Sequence, residues 1–186
     1  MTSNQKVVGS SPTGEANKEP TMVAVRKKFS RRDYEAFDGP AKDALTRLLK
    51  TRGHKILDTS ETYYADVVST KGGYTYHSEA EVKVSWKGPW PESWGEIRIP
   101  ERKNRLIKKH KDEAKLLTLL NFYVFRKDFK QCWRIKGTAL TEDRIKEPAQ
   151  PHSRHLNKET GGRKRHILKG ELFYHIPYPE AELINL

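Results

Sequence analysis

Cysteine is almost absent from this chain: Cys132 is the only one among 186 residues. Without a second thiol no internal disulfide can close and no cysteine-based zinc cluster can assemble, so any bound metal must be held by oxygen or histidine. Long apolar runs are missing too. No stretch approaches the roughly 18 apolar residues of a membrane span, and no basic amphipathic segment has the strong apolar face of a membrane-surface helix. Met1 to Ser10 lack the continuous apolar segment of a secretory signal, which points to a soluble, intracellular protein of the cytoplasm or nucleoid. Acidic residues are in deficit, 24 against 36 Lys and Arg, for a formal charge of +12. Such an excess favours a polyanionic partner, nucleic acid first among them.

What is present suits one domain with one core. Residues 1–28 are polar with few large apolar side chains, and the expectation is a disordered tail. Arg26, Lys27, Lys28, Arg31 and Arg32 form a basic cluster at its end, suited either to phosphate contacts or to a solvated arm. Residues 29–146 read as an α/β domain, and 147–186 as a basic loop with a C-terminal arm packing on it. Gly39-Pro40 punctuates the chain, and Ala44, Leu45, Leu48 and Leu49 then recur at helical spacing over Ala41 to Thr51. Arg52-Gly53 ends that helix.

Lys55 to Leu57 reads as a short strand, Tyr63 to Thr70 as a strand containing Asp66, and Tyr74 to Trp86 as its hairpin partner across Gly72-Gly73. Glu96 to Pro100 is a further short strand. Glu101 to Glu113 is a charged surface helix anchored by Leu106, Ile107 and Ala114. Leu116 to Phe125 is apolar on both alternating faces, as in a central strand covered on both sides. Gln131 to Lys136 alternates as another strand. Thr138 to Arg165 reads as a long loop with one helical turn near Glu142 to Lys146, and Leu168 to Ile176 as a strand or packed arm stopped by Pro177 and Pro179.

The most informative segment is His77 to Trp86, which alternates strictly and sets Glu79, Glu81 and Lys83 on one face, successive members about 7 Å apart. Two carboxylates and an ammonium in a row need a reason, and a divalent metal with a nucleic acid would supply one. An acidic residue stands two before lysine at Glu81, Glu101, Glu113 and Asp128. Only Glu81-Val82-Lys83 lies in an alternating strand after a hairpin, where both side chains share a face.

From Asp33 to Gly137 the order of elements resembles the PD-(D/E)xK nuclease superfamily, the restriction-endonuclease-like fold that includes archaeal-type Holliday junction resolvases. The likeness rests on a helix through Leu45 and Leu49, Gly53, a strand bearing Asp66, the Gly72-Gly73 turn, Glu81-Val82-Lys83, then a helix and a buried strand. It departs at Ala65, where the family name places proline. The resemblance implies a central mixed sheet flanked by helices, with Mg²⁺ (or Mn²⁺) held by Asp66, Glu81 and the Val82 carbonyl. Lys83, kept protonated by the carboxylates, would orient the attacking water or stabilise charge on the phosphate. Glu79 would be a supplementary acid, and Asp43 or Glu35 would supply the acid that superfamily members often add from the first helix. The implied partner is DNA, branched or otherwise structured, and resolvases of this type act as homodimers. The opposing account of the same face is a solvent-facing strand carrying a Glu-Lys ladder pair.

Trp86, Trp90 and Trp94 follow at four-residue intervals, placed either to stack on bases or to seal the loop onto the core. Lys87, Arg98, Arg102, Lys103 and Arg105 flank them, as phosphate contacts or as a solvated helix face. Gly161-Gly162 with Arg163, Lys164 and Arg165 suits a nucleic-acid backbone or a solubilising loop. His152 and His155 have a metal-like spacing but no acid or thiol nearby to complete a site, so surface histidines are expected.

Overall fold

The computed structural model describes residues 31–60, 64–113, 117–147 and 171–186. The expected tail, 1–28, lies outside them. α1 (Arg31–Asp33) runs through a π-helical turn (Tyr34–Asp38) directly into α2 (Gly39–Thr51). The Gly39-Pro40 pair, expected as a break, is helical, because proline in a first turn gives up no hydrogen bond. Ala41, Ala44, Leu45, Leu48 and Leu49 are buried. The helix stops where Gly53 turns left-handed at φ +80°. There the Gly53 N–H donates to the Lys50 carbonyl (3.0 Å) and the His54 N–H to that of Leu49 (2.9 Å), satisfying carbonyls the helix leaves open.

Six strands form the main sheet in the order β1-β2-β3-β5-β6-β9. They are β1 (Lys55–Asp58), β2 (Val67–Lys71), β3 (Tyr74–Lys83), β5 (Thr118–Arg126), β6 (Gln131–Lys136) and β9 (Glu182–Asn185). β3 and β5 run parallel, and every other neighbouring pair is antiparallel. Gly72 and Gly73, at φ +56° and +81°, close the β2–β3 hairpin in the two-residue turn that needs both angles positive. A parallel pair needs a crossover, and α3 (Asn104–Glu113) lies within it, after β4 (Glu96–Pro100) and a 3₁₀ turn (Glu101–Lys103). β4 belongs to a second sheet, β4-β8-β7, with β7 (Ile145–Lys146) and β8 (Phe173–Pro177).

Each face of the main sheet has its own core. On one, α2 packs over Val67, Ala80, Tyr123, Phe125, Cys132 and Ile184. On the other, Phe122, Val124, Trp133 and Ile135 meet Leu106 and Ile107 of α3 and the apolar side chains of the small sheet. The protein thus has an α/β fold built on a mixed sheet. β5 is buried from Leu120 through Phe125, as its two-sided apolar pattern predicts.

Several expectations shift. The strand expected over Tyr63 to Thr70 spans Val67 to Lys71, which leaves Asp66 just ahead of it, and β3 ends at Lys83 instead of Trp86. There the Trp86 N–H bonds back to the Lys83 carbonyl (2.9 Å), and the indole turns into the core at 1% exposure. Leu117 and Leu119, expected under cover, are exposed. The strand expected to stop at Pro177 does so, as β8, and the chain goes on through a 3₁₀ turn (Tyr178–Glu180) to β9, which was not expected and pairs with β6. Within the expected long loop the helical turn near Glu142 is a 3₁₀ turn (Glu142–Arg144), and residues up to 147 add another 3₁₀ turn (Gly137–Ala139) and β7.

Leu45, fully buried, should lose about 2–5 kcal/mol of unfolding free energy on Leu45→Ala. Leu119→Ala should lose under ~1 kcal/mol. Urea titration of both variants checks this, and equal losses would contradict the layering.

Candidate acidic site on the central strand

β2 accompanies β3 only from the Lys71–Tyr74 pair to the Val67–Ser78 pair, whereas β5 follows β3 on to Lys83. Beyond Ser78 one edge of β3 therefore loses its strand neighbour. On that edge the Ala80 N–H donates to Asp66 Oδ2 at 2.8 Å, a carboxylate standing in for a missing ladder carbonyl. By the two-residue alternation of strand hydrogen bonding, the Val82 N–H and carbonyl point to the same edge.

Glu79, Glu81 and Lys83 share the face turned towards α3, as the alternation requires. The ammonium that reaches the two carboxylates is Lys103, from the 3₁₀ turn ahead of α3. It pairs with Glu79 and, at 2.7 Å, with Glu81, while Arg102 stands 3.9 Å from Glu81. Lys103 Nζ bonds Glu79 through Oε1. Glu79 Oε2 is buried and has no hydrogen-bond partner among the described residues. Asp38, the last residue of the π-helical turn, feels the charges of Lys103, Glu81 and Lys42, and Lys42 lies one helical turn later on the same side.

The titration of these groups follows from burial set against charge. Burial pushes Asp38 and Asp66 above the ordinary carboxylate range, Lys103 opposing in both cases. Glu79 is pushed up to about 7 by burial, which outweighs Lys103 and is reinforced by Asp66 and Glu81. Burial also acts against the Glu81 charge, but Lys103 and then Arg102 prevail and hold it below its usual value. Burial works against the Lys103 ammonium as well, and Glu81 and Glu79 overcome it, so its pKa is raised. Lys103 stays protonated throughout the physiological range.

Several sequence-predicted residues stand elsewhere. Lys83 lies over the Trp94 ring, 4.6 Å from its centroid, and pairs with no carboxylate among the described residues. Carboxylates do not keep it protonated; burial, then Arg98, lowers its pKa. Asp43 is exposed on α2, and Glu35 is exposed and paired with Arg31 at 2.7 Å. Neither joins the acids, whereas Asp38, which a helix starting at Ala41 leaves out, does.

Trp90 donates its indole N–H to the Trp94 carbonyl (2.7 Å) and meets Trp86, Trp94 and Trp133 edge to face, so it seals the loop and offers no free face for a base. Lys87 and Arg105 are exposed, Arg98 is half-buried on β4, and Arg102 borders the acids. Arg163, Lys164, Arg165, His152 and His155 lie outside the described residues. Missed by sequence reasoning were Asp38 as an acid and Lys103 as the central cation. The Asp38–Lys42 spacing, one helical turn, was the available signal for the first.

No family model matches this sequence, and no curated protein matches it closely. The site itself is suited to a hard cation. Its donors are carboxylate oxygens and one edge carbonyl, Glu79 Oε2 is buried without a partner among the described residues, and burial raises the pKa of Asp38, Asp66 and Glu79. Among the described residues no three His, Cys, Asp or Glu side chains form a ready-made ligand group. Mg²⁺ needs none, since it is commonly held by one or two carboxylates, waters and substrate phosphates.

Glu79 makes stability fall with pH. A carboxyl whose pKa is raised from 4.5 to about 7 on folding holds its proton more tightly in the native state. Its contribution is therefore complete below about pH 4.5 and is lost as pH rises towards 7, an effect of about 3 kcal/mol. In EDTA, Glu79→Gln should remove that part of the decline between pH 4.5 and 7 in urea unfolding. Identical pH profiles for wild type and variant would refute the assignment.

Proposed function

We propose that the chain is a Mg²⁺-dependent endonuclease that hydrolyses phosphodiester bonds of DNA, with Mn²⁺ able to substitute. The main support is that acids from three separated segments, Asp38, Asp66 and the Glu79–Glu81 pair, gather at the open edge of β3 around one half-buried lysine, leaving Glu79 Oε2 without a partner among the described residues. Support also comes from the order of elements: a helix, three antiparallel strands, a helix and a strand parallel to the acid-bearing one, the order expected of a restriction-endonuclease-like core.

Asp66, Glu81 and the Val82 carbonyl would hold the ion, with Glu79 and Asp38 as the further acids. When bound, the ion would polarise a phosphoryl oxygen and lower the pKa of a coordinated water. Lys103, held in place by Glu79 and Glu81, takes the role expected of Lys83: a fixed positive charge beside the phosphate, able to stabilise negative charge as it develops. Its raised pKa excludes it as a general base. Arg102, more exposed, is placed to contact a neighbouring phosphate. Branched DNA as substrate and a homodimeric assembly belong to the same proposal, through the resemblance to resolvases.

The second reading is a basic nucleic-acid-binding protein without catalysis, or a structural component of a nucleoprotein. It is favoured by one observation: Lys103 already pairs with both glutamates, as in a purely structural ion-pair network. Cleavage of labelled duplex, single-stranded and four-way-junction DNA in Mg²⁺, Mn²⁺ and EDTA separates the two. The nuclease should cut only with metal, and Glu81→Ala and Lys103→Ala should each lower the rate by about 10²-fold or more. Lys83→Ala should cost less than tenfold. Binding without cleavage in either metal would leave the second reading standing.

A further inference from the structure

The face of the main sheet that α2 covers is covered only in part. α2 ends at Thr51, and past its C-terminal cap the sheet carries an open pocket of 580 Å³ lined by Arg52, His54, Lys71, Tyr74, Tyr76 and Arg134. The register puts Lys71, Tyr74 and Tyr76 on the face shared with Ala80, opposite to Glu79 and Glu81. Tyr74 retains 42% exposure, as does Leu119, which pairs with Tyr76 on that face. Tyr76 is braced edge to face by His54, with ring centroids 4.6 Å apart.

Positive charge is in excess here. Among the described residues three cations, Arg52, Lys71 and Arg134, face one carboxylate, Glu182, which binds Arg52 at 3.1 Å and Arg134 at 2.8 Å. The negative end of α2 does not cancel them. Its last carbonyls are taken by the N–H groups of Arg52, Gly53 and His54, and the Arg52 carbonyl by Lys71 Nζ at 2.6 Å. The His54 imidazole registers the excess: burial, then Lys71, Arg52 and Arg134, lowers its pKa.

We propose that this surface is a second nucleic-acid contact, binding an unpaired strand through its phosphates at Lys71 and Arg134 with a base stacked on Tyr74. An exposed phenol ring beside fixed cations is what a single strand recognises: π-faces for bases and charge for the backbone. The proposal deepens the nuclease reading by naming a feature of the substrate. Tyr74 and Glu81 are seven residues apart on one strand, about 23 Å, and face opposite ways. One straight duplex cannot lie on both, but a substrate with a duplex arm and a single-stranded or branched arm can.

The test is binding of a fluorescein-labelled oligothymidylate to the full chain by anisotropy in EDTA, where hydrolysis and metal play no part. Tyr74→Ala should weaken binding about fivefold or more. The Lys71→Gln, Arg134→Gln double variant should reduce the slope of log K against log salt by about 1.4, two phosphates at about 0.7 each. An oligonucleotide carrying 5-iododeoxyuridine should photocrosslink to Tyr74 or Tyr76. Circular dichroism confirms that each variant is folded.

If wild type and variants bind alike, the second contact is wrong and the nuclease reading stands on its cleavage assay. If the variants lose binding while wild type cuts nothing in Mg²⁺ or Mn²⁺, the surface stands and the nuclease reading falls. Sedimentation showing a dimer that Tyr74→Ala dissociates would overturn the proposal, assigning the face to a second copy of this chain.

Discussion

β3 outruns β2, and the rest of the site depends on that mismatch. Nine residues of β3, Thr75 to Lys83, are paired along β5, but β2 accompanies only the first five residues of the strand, Tyr74 to Ser78. A strand interior has no room for a ligand at its backbone, and a free edge exposes polar groups that must be satisfied. Here the free half-edge lies inside the fold, bordered by the chain entering β2, by the π-helical turn and by the 3₁₀ turn ahead of α3. Asp66, Asp38 and Lys103 come from those three borders. The acids are brought together by where a ladder stops, and no single motif in the chain could place them.

Helix α2, the glycine hairpin and β5 were legible in the sequence because each carries a local signal: a 3.6-residue period, paired glycines able to take positive φ, and apolar residues on both alternating faces. Glu79 and Glu81 shared a face for the same reason. Lys103 was legible as a phosphate contact and not as the partner of the acids, since its contact with β3 spans 24 positions and its Glu101-x-Lys103 triplet reads as surface charge. Asp38 was hidden by Gly39-Pro40, a pair that usually breaks a helix and here lies within one. Lys83 had the right spacing and the right face, but the Trp94 ring, more than ten residues on, takes its ammonium. Local pattern fixes which way a side chain leaves the backbone; its partner is chosen by tertiary approach.

The tryptophans show the same division. Their regular spacing was compatible with stacking on bases or with sealing the loop onto the core, and Trp86, Trp90 and Trp94 pack edge to face in sequence and close on Trp133 of β6. Pro89 and Pro91 limit the ways this loop can fold, so the rings form a rigid wall behind Lys83. That wall joins β3 to the small sheet.

The strand β9 has a consequence for how the molecule assembles. Its Ile184 completes the core beneath α2, and its Glu182 reaches Arg52 across 130 positions of chain. Contacts so distant in sequence form late, because the entropy of closing so large a loop is lost before packing repays it. Until β9 docks, β6 presents an open edge whose amide and carbonyl groups can recruit a strand from another molecule. The interval between synthesis of the central strands and arrival of residues 182–185 is thus the period in which this chain is most exposed to aggregation.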